Sequence, residues 1–215
     1  MIGMAAKRTI SGWRGKRRFV FVLLLALLSV ALWRWTPWPG AWELSRRSRP
    51  EALRALPARG ANRTLNELVY WMHRAHLEGH DVTNVIHLGI GWSGTDGRHR
   101  VLVEASLQRN YDIATRLGLL TPDNLGRLSR GRSAVVTLGP YRGELAEVDH
   151  IVPYSLAPEV GNEIANLELL PASLNRRKSD RIGQRQVACA DDFREAGLIT
   201  PATHERIRNA AAGRR

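Results

Sequence analysis

The chain is poor in cysteine, in lysine and, over its first 35 residues, in acidic side chains. Its single cysteine, Cys189, excludes an intramolecular disulfide, and its distance from the N-terminal apolar run excludes a lipid-modified cysteine just after a signal sequence. Only Lys7, Lys16 and Lys178 are lysines among 32 basic residues, so the positive charge is arginine charge. That fits a coding bias at most positions and bidentate phosphate contact at some. Residues 1–35 carry seven Lys/Arg and no Asp/Glu, so the formal net charge of +12 falls to +5 over residues 36–215 and to +1 from Thr64 onward. The overall charge is therefore a weak argument for nucleic-acid binding by the folded part. At 215 residues and 44% hydrophobic content, the composition excludes a disordered chain and leaves room for one ordinary domain with appendages.

What is present begins with a basic leader, residues 1–18, followed by the uninterrupted apolar run Phe19 to Trp33. This pattern targets a membrane. The run is intermediate between a signal-peptide core and a spanning helix of about 20 residues, with Arg34 able to snorkel and Trp33, Trp35 and Trp38 suited to an interface belt. Residues 19–35 are thus expected to be a signal anchor or a cleaved signal, with the Trp-rich flank favouring the anchor. Six Lys/Arg in the eighteen residues before the run against four in the twenty after it orient the N-terminus to the cytoplasm. The remainder should then face outward, into the periplasm in a Gram-negative cell, either tethered to the inner membrane or secreted after cleavage.

Residues 36–63, with Pro37, Pro39, Pro50 and Pro57 among Arg, Ser, Gly and Ala, read as a linker, and the folded part is expected to start near Thr64. A supporting α+β region spans residues 64–143. Thr64 and Glu67 match a capping box, and Leu65, Leu68, Val69, Met72 and Ala75 form an apolar helical stripe ending before Gly79. His73, His76 and His80 share a face of that helix without an accompanying carboxylate pattern, which favours surface or half-buried histidines over a metal site. The β-branched stretches VTNVIHLGIGW and RHRVLVEAS flank SGTDG and predict an antiparallel β-hairpin. Two further segments, around Gly118-Leu-Leu-Thr-Pro122 and Gly197-Leu-Ile-Thr-Pro201, predict helical hairpins. In each, a glycine ends one helix, a threonine caps the next and a proline takes its first position. The second hairpin occupies residues 183–215.

Chemistry concentrates in residues 144–182, where EVDHIVPYSLAPEVGNEIANLELLPASLNRRKSDR reads as strand, loop, strand and helix. Hydrolysing a phosphodiester needs an activated water, neutralised phosphoryl charge and a stabilised leaving oxygen, which one divalent cation and one base can provide. The Asp149 carboxylate and the Asn175 amide oxygen are hard ligands suited to Mg²⁺ or Mn²⁺. His150 is the natural general base, since an ordinary imidazole titrates near 6.5. Consecutive strand residues point to opposite faces, so convergence of Asp149 and His150 requires the pleat to break there. Asn166 could hold that loop by side-chain-to-backbone hydrogen bonds. Asn175 and Lys178 share a helix face, and Arg176, Arg177 and Arg181 can contact a phosphate backbone.

These residues resemble, position by position, the HNH or ββα-metal endonuclease superfamily, in its variant with Asn at the last motif position. Asp149-His150 matches the first motif position, Asn166 the middle Asn and Asn175 the final one, and Arg176-Arg177-Lys178-Ser179-Asp180 is similar to HNH domains of homing and CRISPR-associated nucleases. The resemblance covers about residues 144–182. It implies Asp149 and Asn175 as metal ligands, His150 as base, Asn166 as loop-orienting residue and Lys178 as an accessory electrostatic group. The substrate it implies is nucleic acid, DNA before RNA. Many HNH proteins surround this unit with paired CxxC zinc motifs; here none exists, so flanking helices must supply the support. The expectation is an α+β protein with a ββα-metal module. A second reading remains: a non-catalytic, membrane-anchored envelope protein that uses the same basic scaffold to hold nucleic acid or another partner.

Overall fold

Prolines Pro37, Pro39 and Pro50 start helices in the computed structural model rather than interrupting a tether. The structure describes residues 19–25, 36–178 and 181–213. Helix α1 (Trp38–Arg47) has Pro39 in its first turn, and α2 (Pro50–Arg54) opens on Pro50, where a missing N–H leaves no hydrogen bond unmade. Ala41 and Leu44 of α1 and Leu53 of α2 are buried in the main hydrophobic core. The linker expected over residues 36–63 is therefore part of the domain. Two of its arginines meet on one carboxylate: Glu67, 9% exposed, receives Arg47 at 2.7 Å and Arg63 at 3.0 Å.

Helix α3 (Ala61–Leu77) buries Leu65, Leu68, Val69, Met72 and Ala75, the stripe its spacing announces. It begins one turn before Thr64. The first-turn amide of Ala61 is capped from a distance by Asn162 Oδ1 at 3.2 Å, and Thr64 and Glu67 lie inside the helix and form no capping box. At the other end Gly79 (φ +86°) lets His80 N–H reach Ala75 O and Gly79 N–H reach His76 O, closing the helix.

The expected β-hairpin is instead a pair of helices, α4 (Val82–Gly91) and α5 (Gly97–Arg116). Asp81 caps α4 by accepting Asn84 N–H at 2.8 Å, and the buried set Val82, Val85, Ile86, Gly89 and Ile90 recurs at helical spacing. That stripe outweighs the β propensity of its branched residues, which is a weak and context-dependent preference. Gly89 also admits the close approach of α1: a Cβ there would lie 2.7 Å from Leu44 and 2.8 Å from the Ala41 carbonyl.

Helix α6 (Pro122–Leu128) follows α5 through Gly118 (φ +65°), with Thr121 accepting Asn124 N–H. The chain then enters β1 (Ala146–His150), crosses a loop with two short 3-10 turns, returns as β2 (Leu167–Pro171) and continues directly into α7 (Ala172–Lys178). β1 and β2 are antiparallel, pairing Glu147 with Leu170, Asp149 with Glu168 and His150 with Leu167. Helices α8 (Gln184–Glu195) and α9 (Pro201–Ala212) form the second helical hairpin, with Gly197 at φ +70° and Thr200 capping through Thr203 N–H. The architecture is α+β, mostly helical, with one two-stranded sheet.

The basic leader and residues 26–35 of the expected membrane segment lie outside the described residues. Residues 19–25 are helical and exposed. Among the described residues no helix is long and apolar enough to cross a membrane.

Candidate active site

A two-stranded sheet exposes backbone on both outer edges, and here side chains take the place of missing strands. On the edge of β2 turned away from β1, Asn110 of α5 donates to Leu167 O at 3.0 Å and accepts Leu169 N–H at 2.9 Å. On β1, Asn62 of α3 donates to Val148 O at 3.2 Å. The loop between the strands is fastened at three points by two helices: Ser106 of α5 donates to Ile164 O at 2.8 Å, His99 of α5 faces Glu163 at 3.0 Å, and Arg206 of α9 donates twice to Leu156 O. The helices thus hold the strand-loop-strand unit without any metal-binding cysteines.

Inside the loop, Asn166 is fully buried and all of its amide is used. Oδ1 accepts Val152 N–H at 2.8 Å, and Nδ2 donates to Val152 O at 3.0 Å and Val160 O at 3.2 Å. This reciprocal pair with Val152 fixes the chain immediately after His150.

His150 is 5% exposed, and its Nε2 lies 2.8 Å from Gly161 O. A carbonyl can only accept, so Nε2 carries the proton and Nδ1 holds the lone pair. Burial pushes the imidazole below its ordinary value of 6.5; the Gly161 carbonyl and Asp149 oppose this, while Arg59 and Lys178 reinforce it. The ring is held neutral in the tautomer that leaves Nδ1 as the basic atom. Tyr154 packs edge-on against it, with ring centroids 6.0 Å apart. Gly161 is required beneath Tyr154, because any Cβ there would run into that ring.

β1 keeps its pairing through His150, so the pleat does not break between Asp149 and His150, contrary to the expectation. The two side chains serve different neighbours. Asp149 Oδ2 receives Lys178 Nζ at 2.5 Å, and the same ammonium donates to the His150 carbonyl. Lys178 also lies 3.6 Å from Oε1 of Glu168, the cross-strand partner of Asp149. Glu168 is 2% exposed; its Oε2 is paired with Arg185 at 2.5 Å, while Oε1 has no hydrogen-bond partner.

Asn175 lies over the same strand face and donates from Nδ2 to Glu147 Oε2 at 2.8 Å. A carboxylate accepts only, so this bond turns the amide oxygen away from Glu147 and leaves it available as a ligand. Among the described residues no hydrogen bond joins Asn175 to Asp149, and no cluster of three His, Cys, Asp or Glu side chains is gathered around a metal position. The residues that could hold a cation are Asp149, by its carboxylate, and Asn175, by an amide oxygen that Glu147 orients. Its chemistry fits Mg²⁺ or Mn²⁺.

Arg176, Arg177 and Arg181 are exposed. Arg177, Lys178 and Arg181 line an open groove of about 510 Å³ together with Leu174, Ile182 and Gln186. A larger cavity of about 730 Å³, between the start of α8 and the end of α9, contains none of the site residues.

No family model, no curated protein and no solved structure matches this chain. Function must be argued from the site. Glu147, Glu168, Arg185, Gly161 and Tyr154 were not singled out from the sequence. Only Glu147 and Glu168 carry a signal there, Glu147 by sharing the strand face of Asp149 and Glu168 by alternating with Leu167 and Leu169.

Proposed function

We propose that the protein is a metal-dependent HNH-type endonuclease whose strand-strand-helix unit, residues 144–182, serves as a ββα-metal module hydrolysing nucleic-acid phosphodiesters, DNA before RNA. The observation that carries this reading is the state of His150: a buried imidazole held neutral, its tautomer set by Gly161, next to an aspartate and a lysine. A structural histidine explains burial, but it leaves unexplained why Asp149, Asn166, Asn175 and Lys178 accompany it in this order along the chain.

In the proposed reaction His150 Nδ1 takes a proton from water as the water oxygen bonds to phosphorus; the P–O3′ bond breaks, and the departing oxygen acquires a proton from solvent. A divalent cation held by Asp149 and Asn175 would supply charge neutralisation at the phosphoryl and leaving oxygens. Asn166 holds the loop that bears His150. Lys178 pairs with the Asp149 carboxylate and adds positive charge. Arg176, Arg177 and Arg181 supply phosphate contacts that fix the backbone without reading bases.

We further propose that residues 19–35 attach the protein to the inner membrane with the nuclease domain outside the cytoplasm, or direct its secretion. A fusion of alkaline phosphatase to the C-terminus should be active in a bacterial host; a fluorescent, phosphatase-negative fusion of green fluorescent protein would reverse the orientation.

The test of activity uses the full-length chain, because residues 36–60 belong to the core. With Mg²⁺ or Mn²⁺ it should nick or cut plasmid and single-stranded DNA and lose this on chelation. His150→Ala should reduce cleavage by about 10²-fold or more, the scale of general-base catalysis, with an unchanged circular-dichroism spectrum. Undiminished cutting by His150→Ala sinks the mechanism. Absence of cutting by wild type across metals and substrates favours the second reading, a binding protein on the same scaffold.

A further inference from the structure

Arg59 is, among the described residues, the one non-glycine residue with a left-handed backbone, at φ 63°. That conformation is sterically disfavoured for a non-glycine residue and persists only where the surroundings impose it. Here the surroundings are the loop of the candidate site. Asn162 Nδ2 donates to Leu56 O and Pro57 O, both at 3.0 Å, and its Oδ1 accepts Ala61 N–H, so one side chain clamps both ends of the turn between α2 and α3. The residue before it, Gly161, is the acceptor for His150. The turn bearing Arg59 and the imidazole are therefore anchored to two consecutive residues.

The Arg59 side chain is directed accordingly. Its guanidinium carbon lies 5.7 Å from the Tyr154 ring centroid, and Tyr154 is the residue packed edge-on against His150. The residue is exposed, and among the described residues no ion pair joins it to a carboxylate. Its neighbours Arg54 and Arg63 do have acidic partners, Glu51 and Glu67. A strained backbone, a clamped turn and an uncompensated guanidinium on the ring that packs against the imidazole together describe a site prepared for an anion.

We propose that Arg59 binds a non-bridging oxygen of the phosphodiester to be hydrolysed, so that the site is completed by a residue from outside the strand-strand-helix unit. This rests on the nuclease reading. Arg59 transfers no proton: it stays charged and offers N–H donors in a fork matched to phosphate. Tyr154 provides the platform that keeps the fork in place.

The test compares full-length wild type with Arg59→Gly, Arg59→Asn and Arg59→Lys. Glycine and asparagine both accept a left-handed backbone, so these variants should melt at or above the wild-type temperature. Cleavage of a DNA oligonucleotide with Mn²⁺ should fall by about 10²-fold in both, the scale of one lost transition-state donor, and Arg59→Lys should recover part of it. In EDTA, the slope of log K against log salt for binding the same oligonucleotide should decrease in magnitude by about 1 in Arg59→Gly. Wild-type-like cleavage together with an unchanged salt slope overturns the proposal. If wild type fails to cleave, the nuclease reading falls by itself, and the salt slope alone decides whether Arg59 holds phosphate: a slope lower by about 1 supports it, and an unchanged slope overturns it.

Discussion

The ammonium of Lys178 lies 2.5 Å from Asp149 Oδ2 and 3.6 Å from Glu168 Oε1, so one cation from α7 sits between the two carboxylates of a cross-strand pair. Directly opposed like charges on a sheet repel. Glu168 is the more constrained of the two, being 2% exposed, with Arg185 as its other partner. Lys178→Met should therefore destabilise the fold by about 1–3 kcal/mol, less than the 3–5 kcal/mol of a fully buried broken pair because Arg185 remains. Glu168→Gln removes the repulsion and should restore part of the loss. A double-mutant cycle by urea denaturation measures this; additivity of the two substitutions within about 0.5 kcal/mol would show that Lys178 and Glu168 are not coupled.

The same contact bears on metal binding. A divalent ion on Asp149 must compete with the Lys178 ammonium for Oδ2, while Asn175 offers its amide oxygen from the adjoining helix. Binding to the native state alone stabilises it by about 2.7 kcal/mol when the ion is at 100 times its Kd, which for a domain of this size is a rise in Tm of about 5–10 °C. Scanning calorimetry with Mg²⁺ and Mn²⁺ should show this rise in wild type and not in Asp149→Asn or Asn175→Ala. Equal shifts in all three proteins would place the ion elsewhere.

Local chemistry made some of this architecture readable from the chain. The Gly118, Thr121, Pro122 and Gly197, Thr200, Pro201 triplets act within one turn of themselves, and both helical hairpins fall where they stand. The strand-strand-helix order of residues 146–178 was equally visible. What escaped depends on partners far away. Helix α3 starts early because Asn162, 101 residues on, caps it. Residues 36–63 fold because Ala41, Leu44 and Leu53 find a core, which composition alone does not reveal. The pair α4 and α5 departs from the expected hairpin because helical spacing of its buried residues outweighs their branching, with Asp81 capping the first helix through Asn84 N–H. In the candidate site, the residues carrying motif spacing are visible in the chain, whereas the Arg59–Tyr154 and Glu168–Arg185 pairs form only in three dimensions.

Acid should weaken this fold through its half-buried and buried imidazoles. His73 is held below the ordinary value of 6.5 by burial first and by the neighbouring His76 second, and His150 is lowered chiefly by burial. Between those lowered values and 6.5 the unfolded chain binds more protons than the native one. The stability contributed by the neutral rings is therefore complete above about 6.5 and is lost as pH falls through the lowered native values. Urea midpoints measured from pH 7.5 to 5 should decline more steeply in wild type than in His73→Gln. Parallel declines would show that His73 titrates alike in both states.

Asn110 gives the most direct test of whether α5 substitutes for a third strand. Its amide joins Leu167 O and Leu169 N–H, and Leu169 N–H has no other partner on that edge, whereas Leu167 O also receives weaker contacts from Ser106 and Arg109. In Asn110→Ala the buried Leu169 amide loses its acceptor, which costs about 1–3 kcal/mol, and the cavity left by the side chain adds to this. Asn110→Asp keeps an acceptor for Leu169 but loses the donor to Leu167 and buries a charge, so it should destabilise the fold while protecting the Leu169 amide. Native-state hydrogen exchange separates the two effects: at matched global stability, Leu169 should exchange faster in Asn110→Ala than in Asn110→Asp. Equal exchange in the two variants would mean that packing of α5, and not its asparagine, holds β2 in place beneath the candidate site.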